Sequence, residues 1–224
     1  FFPHAFRLVP RDDRRYDAVF DRLFDPEQFW GPYPVRTATR KADLFSLDEG
    51  RRANGPTWPY ANSLVLEALA NALKFYRCPN VTKPRFFDLL QRTVRMQYEG
   101  GDFSKPRVGE LLNGETGAWL TPADDVFLST YADVLIRHLA GLTPRPDAVL
   151  EFHPIVDAFP YFRFRNVPYR GALLEIVWDL PDGRDLFGDG VEGFTVRRNG
   201  KTLFTTPDLA HVEWSERTGP KILK

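Results

Sequence analysis

Several features that would announce a chemistry are scarce or missing. The chain of 224 residues has one cysteine, Cys78, which excludes an internal disulfide. A domain of this size buries enough surface to need no staple, so one thiol leaves the compartment open. The four histidines (His4, His138, His153, His211) are scattered without ligand spacing, so neither a metal nor any other cofactor is expected. Charge of one sign is absent too: 30 Lys+Arg against 30 Asp+Glu leaves a formal net charge of zero and no footprint for nucleic acid or an anionic membrane. No apolar run approaches the roughly 20 residues of a spanning helix, and no signal peptide heads the chain. Dinucleotide, phosphate-loop and serine-elbow patterns are missing. The first residue is Phe1 and the only methionine is Met96, so the expectation is a chain that begins partway through a longer protein.

What remains is apolar and aromatic. The chain is 43% hydrophobic and 14% aromatic, a globular composition. Five tryptophans and eight tyrosines fit a carbohydrate partner, because flat rings stack on sugar faces, although most rings in any domain serve its core.

The pattern changes along the chain. Residues 1–11 are apolar and proline-broken, read as a buried strand or loop. Asp12 and Asp13 can cap a helix to Phe24, with Tyr16, Val19, Phe20 and Leu23 on its apolar face. A long connection rich in proline, glycine and aromatics follows, with room for a short helix between residues 40 and 50; its length marks it as functional rather than as a mere linker. Helices are expected from Asn62–Ser63 to Tyr76 and from Thr82–Pro84 to about Tyr98. A further helix is expected after Thr121, capped through Asp124 and closed at Gly141. Beyond Thr143 the period becomes that of strands, and Asn199-Gly200 between two alternating runs predicts a two-residue type I′ hairpin. The fold class expected is mixed: all-α helical hairpins over residues 1–142, then an antiparallel β-sandwich-like domain over 143–224. Most aromatics of that second part (Trp178, Trp214, Tyr161, Phe162) are read as core.

Carboxylates are the groups suited to chemistry here. Glu110 and Glu115 in VGELLNGETGAWL sit in a loop at the mouth of the helical hairpin, with Glu99 and Asp102 just before it. A loop carboxylate there can activate water, and it can equally be a solvated or turn-capping acid. Trp58 in GPTWPY is open to both a packing and a sugar-stacking reading.

FWGPYPVRTATR, NGPTWPYANSLVLEALANAL, VGELLNGETGAWL and YFRFRNVPYRGALLEIVWD occur in order over nearly the whole chain. Together they resemble the C-terminal part of six-hairpin (α/α)6-barrel glycosidases, in the mannosylglycerate-hydrolase-type branch of glycoside hydrolase family 63. The resemblance implies part of such a barrel closed by a β-domain from about residue 148, and inverting hydrolysis of an O-glycosidic bond. It implies a G-P-x-W-P turn lining the sugar-binding end, which lands on Asn54, Gly55, Trp58 and Tyr60, with Trp30 and Trp119 shaping the same subsite. The general base of the family, the Glu of E-x-x-N-x-x-T-G, lands on Glu110. The general acid, an Asp of the middle hairpins, would lie before Phe1. The partners implied are a carbohydrate substrate and the missing N-terminal part of the barrel. The chain alone is then expected to be inactive, with a non-catalytic carbohydrate-binding or scaffolding remnant as the alternative.

Overall fold

The computed structural model describes residues 1–11, 13–47, 54–76, 78–107, 109–121, 130–155 and 159–223. Two compact units divide the chain, Phe1–Tyr131 and Ala132–Lys224.

In the first unit, residues 1–11 do not form a strand. Phe2–Ala5 is a single helical turn, α1, with proline in its first turn. It is held to the second long helix-forming stretch by polar side chains: the Asn71 amide donates to the carbonyls of His4 and Ala5, and the Tyr76 hydroxyl donates to that of Val9 at 3.0 Å. The helix expected to run to Phe24 is broken. Asp13 caps a 3-10 turn, Arg14–Tyr16, by accepting from the Arg15 amide, and only Ala18–Leu23 is α-helical (α2). Phe20 and Leu23 are fully buried, whereas Tyr16 remains on the surface. Asp12 lies outside the described residues, as do the proposed cap at Asp124 and the 48–53 part of the suggested short helix.

Helix α3, Pro59–Phe75, starts earlier than Asn62–Ser63, because Pro59 has the φ a first helical turn needs and no amide to leave unbonded. It is buried nearly all round, as expected for an apolar helix with few charges. Helix α4, Lys83–Arg95, is capped by Thr82, whose side chain accepts from the Arg85 amide, and it buries Phe86, Phe87, Leu89, Leu90 and Thr93. The two helices pack on each other across the short connection at Cys78. Burial and the Asp17 carboxylate push the Cys78 thiol up to about 12, so the lone cysteine is protonated and inert.

A helical turn, Thr130–Val134 (α5), runs into a wider π-helical turn, Leu135–Leu139. The compact units therefore divide before the 142/143 position suggested by the periodicity. Backbone bonds explain it: the Ile155 amide donates to the His138 carbonyl and the His153 amide to that of Gly141, stitching these turns to the strand that follows.

Among the described residues the second unit has eight strands: β1 Leu142–Thr143, β2 Leu150–Phe152, β3 Tyr161–Tyr169, β4 Ala172–Asp179, β5 Gly193–Arg198, β6 Lys201–Thr206, β7 His211–Ser215 and β8 Gly219–Leu223. They form two four-stranded antiparallel sheets, ordered β1-β2-β7-β8 and β3-β4-β5-β6. Phe152 of the first sheet meets Phe194 and Phe204 of the second edge to face, with centroids 5.8–5.9 Å apart. The fold class is thus mixed, a few helices followed by a β-sandwich-like pair of sheets. Trp178 and Phe162 are buried as expected, but Tyr161 is half exposed.

The Asn199-Gly200 hairpin forms between paired Arg198 and Lys201, both turn residues having positive φ (+49° and +79°), the type I′ geometry. A second such turn, Arg170-Gly171, joins β3 to β4 with φ of +51° and +72°. Arginine in its first position hides it from sequence. The Arg170 guanidinium anchors it by donating to the carbonyls of Arg145 and Asp147.

Candidate functional site

Above the start of α3, four loop segments come together as a ladder of single backbone bridges: Arg36 with Thr57, Thr57 with Leu112, and Leu112 with Trp119. The central rung is reciprocal. The Thr57 amide donates to the Leu112 carbonyl at 2.8 Å and the Leu112 amide returns the bond at 2.9 Å. This joins the NGPTWP turn to the GELLNGETG loop, two segments far apart in sequence.

The loop around Glu110 is a set of polar locks. The Asn113 side chain accepts from the amides of Glu115 and Thr116, the Asx turn that begins the reversal. Gly117 ends it at φ +74°, and a Cβ there would meet the Tyr33 ring at 2.4 Å, so only glycine fits. Gly109, next to Glu110, lies flat against the Trp119 ring, again at a distance no Cβ tolerates. Glu115 is committed elsewhere. Its carboxylate takes two bonds from the Arg36 guanidinium, at 2.5 and 3.0 Å, while Arg36 also donates to the carbonyls of Pro26 and Gln28. The Arg36 side chain is 1% exposed, so Glu115 serves as the counter-charge of a buried cation.

The other sequence candidates are placed as follows. Glu110 is 9% exposed, two positions from the Thr57–Leu112 rung. Trp58 caps α3 and tilts against Tyr60 with ring centroids 5.1 Å apart. Gly55 has φ +149° and faces the Ser46 carbonyl and the Phe45 ring, and the Asn54 carbonyl accepts from the Ser46 amide. The indole N–H of Trp119 is buried without an acceptor among the described residues. Trp30 packs instead on Phe24, 5.1 Å away, with the Arg92 guanidinium over its ring.

Beside Trp58 opens a cavity of about 240 Å³, lined by Phe1, Phe29, Arg36, Thr37, Trp58 and Asn62 among others. Among the described residues its lining holds no carboxylate; neither Glu110 nor Trp30 contributes to it. Asn62 shapes its floor by accepting from the Val35 amide and donating to the Pro34 carbonyl. Phe29, Arg36 and Thr37 lie in the long connection before α3, which its length and proline content marked as functional; Asn62 was read from the sequence as the start of a helix and not as a cavity residue.

In the second unit the structure also gathers two histidines that look unrelated in sequence. His153 and His211 stack with centroids 4.0 Å apart, and Glu151 approaches His211 at 3.0 Å. Sequence spacing along one strand cannot reveal a pair made across two.

Comparisons with known proteins identify the family of the first 129 residues. The profile of the mannosylglycerate hydrolase MGH1-like glycoside hydrolase domain matches residues 1–129. A mannosyl-oligosaccharide glucosidase of Saccharomyces cerevisiae is 31% identical over 67 residues, which are 30% of this chain and 8% of that protein. A solved chain called a sialidase is similar over 96% of this chain and 20% of its own length, with a TM-score of 0.80 and 26% identity. The chain therefore spans a small part of either relative.

Proposed function

Because the chain belongs to the mannosylglycerate hydrolase MGH1-like glycoside hydrolase family, with a family-63-like relative in the yeast glucosidase, we propose that it carries one end of a glycosidase active site. In this reading α3 and α4 are one hairpin of an (α/α)6 barrel, and the ladder at Thr57 is part of its sugar-binding mouth. The reaction is hydrolysis of an O-glycosidic bond with inversion. Glu110 takes a proton from water as the water attacks the anomeric carbon from the face opposite the departing oxygen. Inversion needs a second carboxyl about 6.5–9.5 Å away to protonate that oxygen, and no residue of this chain is assigned that role. Trp58, with Tyr60 tilted against it, offers the ring on which a sugar face stacks. Asn54, Gly55 and Trp119 shape the neighbouring wall, and Trp30 supports it from behind. The observation that carries the reading is the reciprocal Thr57–Leu112 rung, which puts the tryptophan turn and the glutamate loop side by side.

The test is Glu110→Gln in the full-length protein that contains these residues, assayed on glucosides, mannosides and sialosides. A fall in kcat of about 10²–10⁴-fold is expected, the usual worth of a general base; undiminished hydrolysis ends the assignment.

One observation favours a second reading, carbohydrate binding without catalysis: the cavity beside Trp58 has no lining carboxylate and Glu115 is neutralised by Arg36. It predicts sugar binding in calorimetry, lost in Trp58→Ala, with no turnover by the full-length protein.

A further inference from the structure

From the cluster at one edge of the second unit, we propose that Glu151, His153 and His211 form a three-ligand zinc site that ties strand β2 to strand β7. The site is independent of the glycosidase reading.

The register makes the cluster. Strand β2 runs against β7 with Leu150 opposite Trp214, Glu151 opposite Glu213 and Phe152 opposite Val212. One step further places His153 opposite His211, on the same face as Glu151 and Glu213 because side chains alternate with a period of two. The two imidazoles stack at 4.0 Å and within 3° of parallel, and Nε2 of His211 lies 3.0 Å from Oε1 of Glu151. One ligand atom from each of the three residues lies within 4.8 Å of the others, and all three residues are partly buried.

The donor set suits the ion. Two imidazole nitrogens and a carboxylate oxygen are the ligands of a tetrahedral zinc site that leaves its fourth position to water. With bonds of about 2.1 Å such a site needs ligand atoms about 3.4 Å apart. Glu151 and His211, 3.0 Å apart, already lie within that span, so the remaining separations, up to 4.8 Å, close by up to about 1.4 Å as the two rings turn from parallel and their lone pairs converge. Partly exposed side chains on a sheet face can make that movement without disturbing the ladder beneath them.

The neighbouring charges are paired. Arg145 bonds Glu151, Glu213 and Asp147 together, Arg170 stands beside Asp147, and Lys221 of β8 lies opposite Glu213. Thr143 of β1 lies opposite Glu151, and Leu223 of β8 opposite His211. Arg145, on the other oxygen of Glu151 at 2.9 Å, orients that carboxylate as an outer-shell partner orients a ligand.

Zinc sulfate titrated by calorimetry into the untagged, chelator-dialysed chain should show one equivalent bound. Long-range imidazole NMR spectra should show the rings of His153 and His211 shifting together as that equivalent is added, with those of His4 and His138 unmoved. Cobalt in place of zinc should give the strong visible absorption of a four-coordinate ion. His153→Asn, His211→Asn and Glu151→Gln should each weaken binding by at least about tenfold, while Glu213→Gln, on the same face but not a ligand, should leave it within about threefold. The wild-type NMR titration decides the matter even if a variant fails to fold. No binding at millimolar zinc, or saturable binding that leaves the His153 and His211 rings unmoved, overturns the proposal.

Discussion

The two units of this chain are ordered by different means. In the second, Ala132–Lys224, long antiparallel ladders satisfy the backbone and side chains of alternating polarity fill the space between two sheets. In the first, Phe1–Tyr131, the described residues between α2 and α3 form isolated bridges, and this segment and residues 4–9 are held by individual polar side chains reaching backbone groups far away in sequence. Asn62, Asn71, Tyr76 and Arg36 do for the loops what ladder hydrogen bonds do for the strands. Such an arrangement concentrates stability in few groups, which suits a surface whose contour matters more than its regularity. It also means that single substitutions should act differently in the two units.

The largest expected difference is at Arg36. Replacing it with methionine leaves Glu115, among the described residues, with Arg40 at 3.5 Å, and strips a donor from the carbonyls of Pro26 and Gln28. Breaking a buried ion pair by removing one partner costs about 3–5 kcal/mol. The Glu115 side chain is 30% exposed, so the lower end applies. Hydrogen exchange should show the loss confined to the first unit, with protection of strands β3–β6 retained. A loss spread evenly over both units would break the contrast between them.

Asn62→Ala comes next. It removes two bonds to the peptide groups of Pro34 and Val35 at a fully buried position, which should cost about 1–3 kcal/mol. Because Asn62 lines the cavity beside Trp58, the sugar binding proposed above should weaken with stability. A variant with unchanged chemical denaturation would show that the loop holds its shape without this clamp.

The second unit has its own ion network, and it should prove weaker per group. Glu175 accepts from Arg163, Arg165 and Arg197, and Asp189 adds a further contact to Arg163 and Arg197. Burial pushes the Glu175 carboxyl up, but hydrogen bonds from Arg163 and Arg197 prevail and hold it below the ordinary value. A carboxylate lowered on folding contributes stability that is present above its unfolded pKa, about 4.3, and lost as pH falls through the folded value. Glu175→Gln should therefore cost about 1–2 kcal/mol at pH 7, and the difference from wild type should shrink as pH is lowered through 4 in urea titrations. A difference that is constant from pH 7 to pH 3 would mean that the charge of Glu175 contributes nothing.

Legibility from sequence follows the same division. Strands with a period of two, the Asn199-Gly200 turn and the Thr82 cap are local chemistry, and each could be read from neighbouring residues. The family likeness rested on motifs whose glycines are now explained by close approach: Gly117 against Tyr33 and Gly109 against Trp119. What could not be read are partnerships between distant segments. Nothing near Glu115 announces that it neutralises Arg36, and nothing near His153 announces His211 across the sheet. The helix expected over residues 12–24 also failed to run through, and the compact units divide before the residue at which the periodicity changes. The first outcome is local, the Asp13 cap on the Arg15 amide starting a 3-10 turn, while the second follows bonds at Gly141 and His138 to a later strand that local propensity does not encode.

The smallest effect should fall on the most legible element. Asn199 sits at φ +49°, a conformation asparagine tolerates better than most residues, and its side chain accepts from the Leu173 amide of the neighbouring hairpin at 2.9 Å. Asn199→Ala loses that bond and strains the turn, for about 1 kcal/mol. Asn199→Gly relieves the strain and loses only the bond, so it should be milder than alanine by a few tenths of a kcal/mol. The gap between the two variants is the informative result. If the two are equally damaging, the bond to Leu173, rather than the left-handed backbone, is what asparagine supplies. The turn would then belong with the side-chain clamps of the first unit and not with the backbone-ordered strands around it.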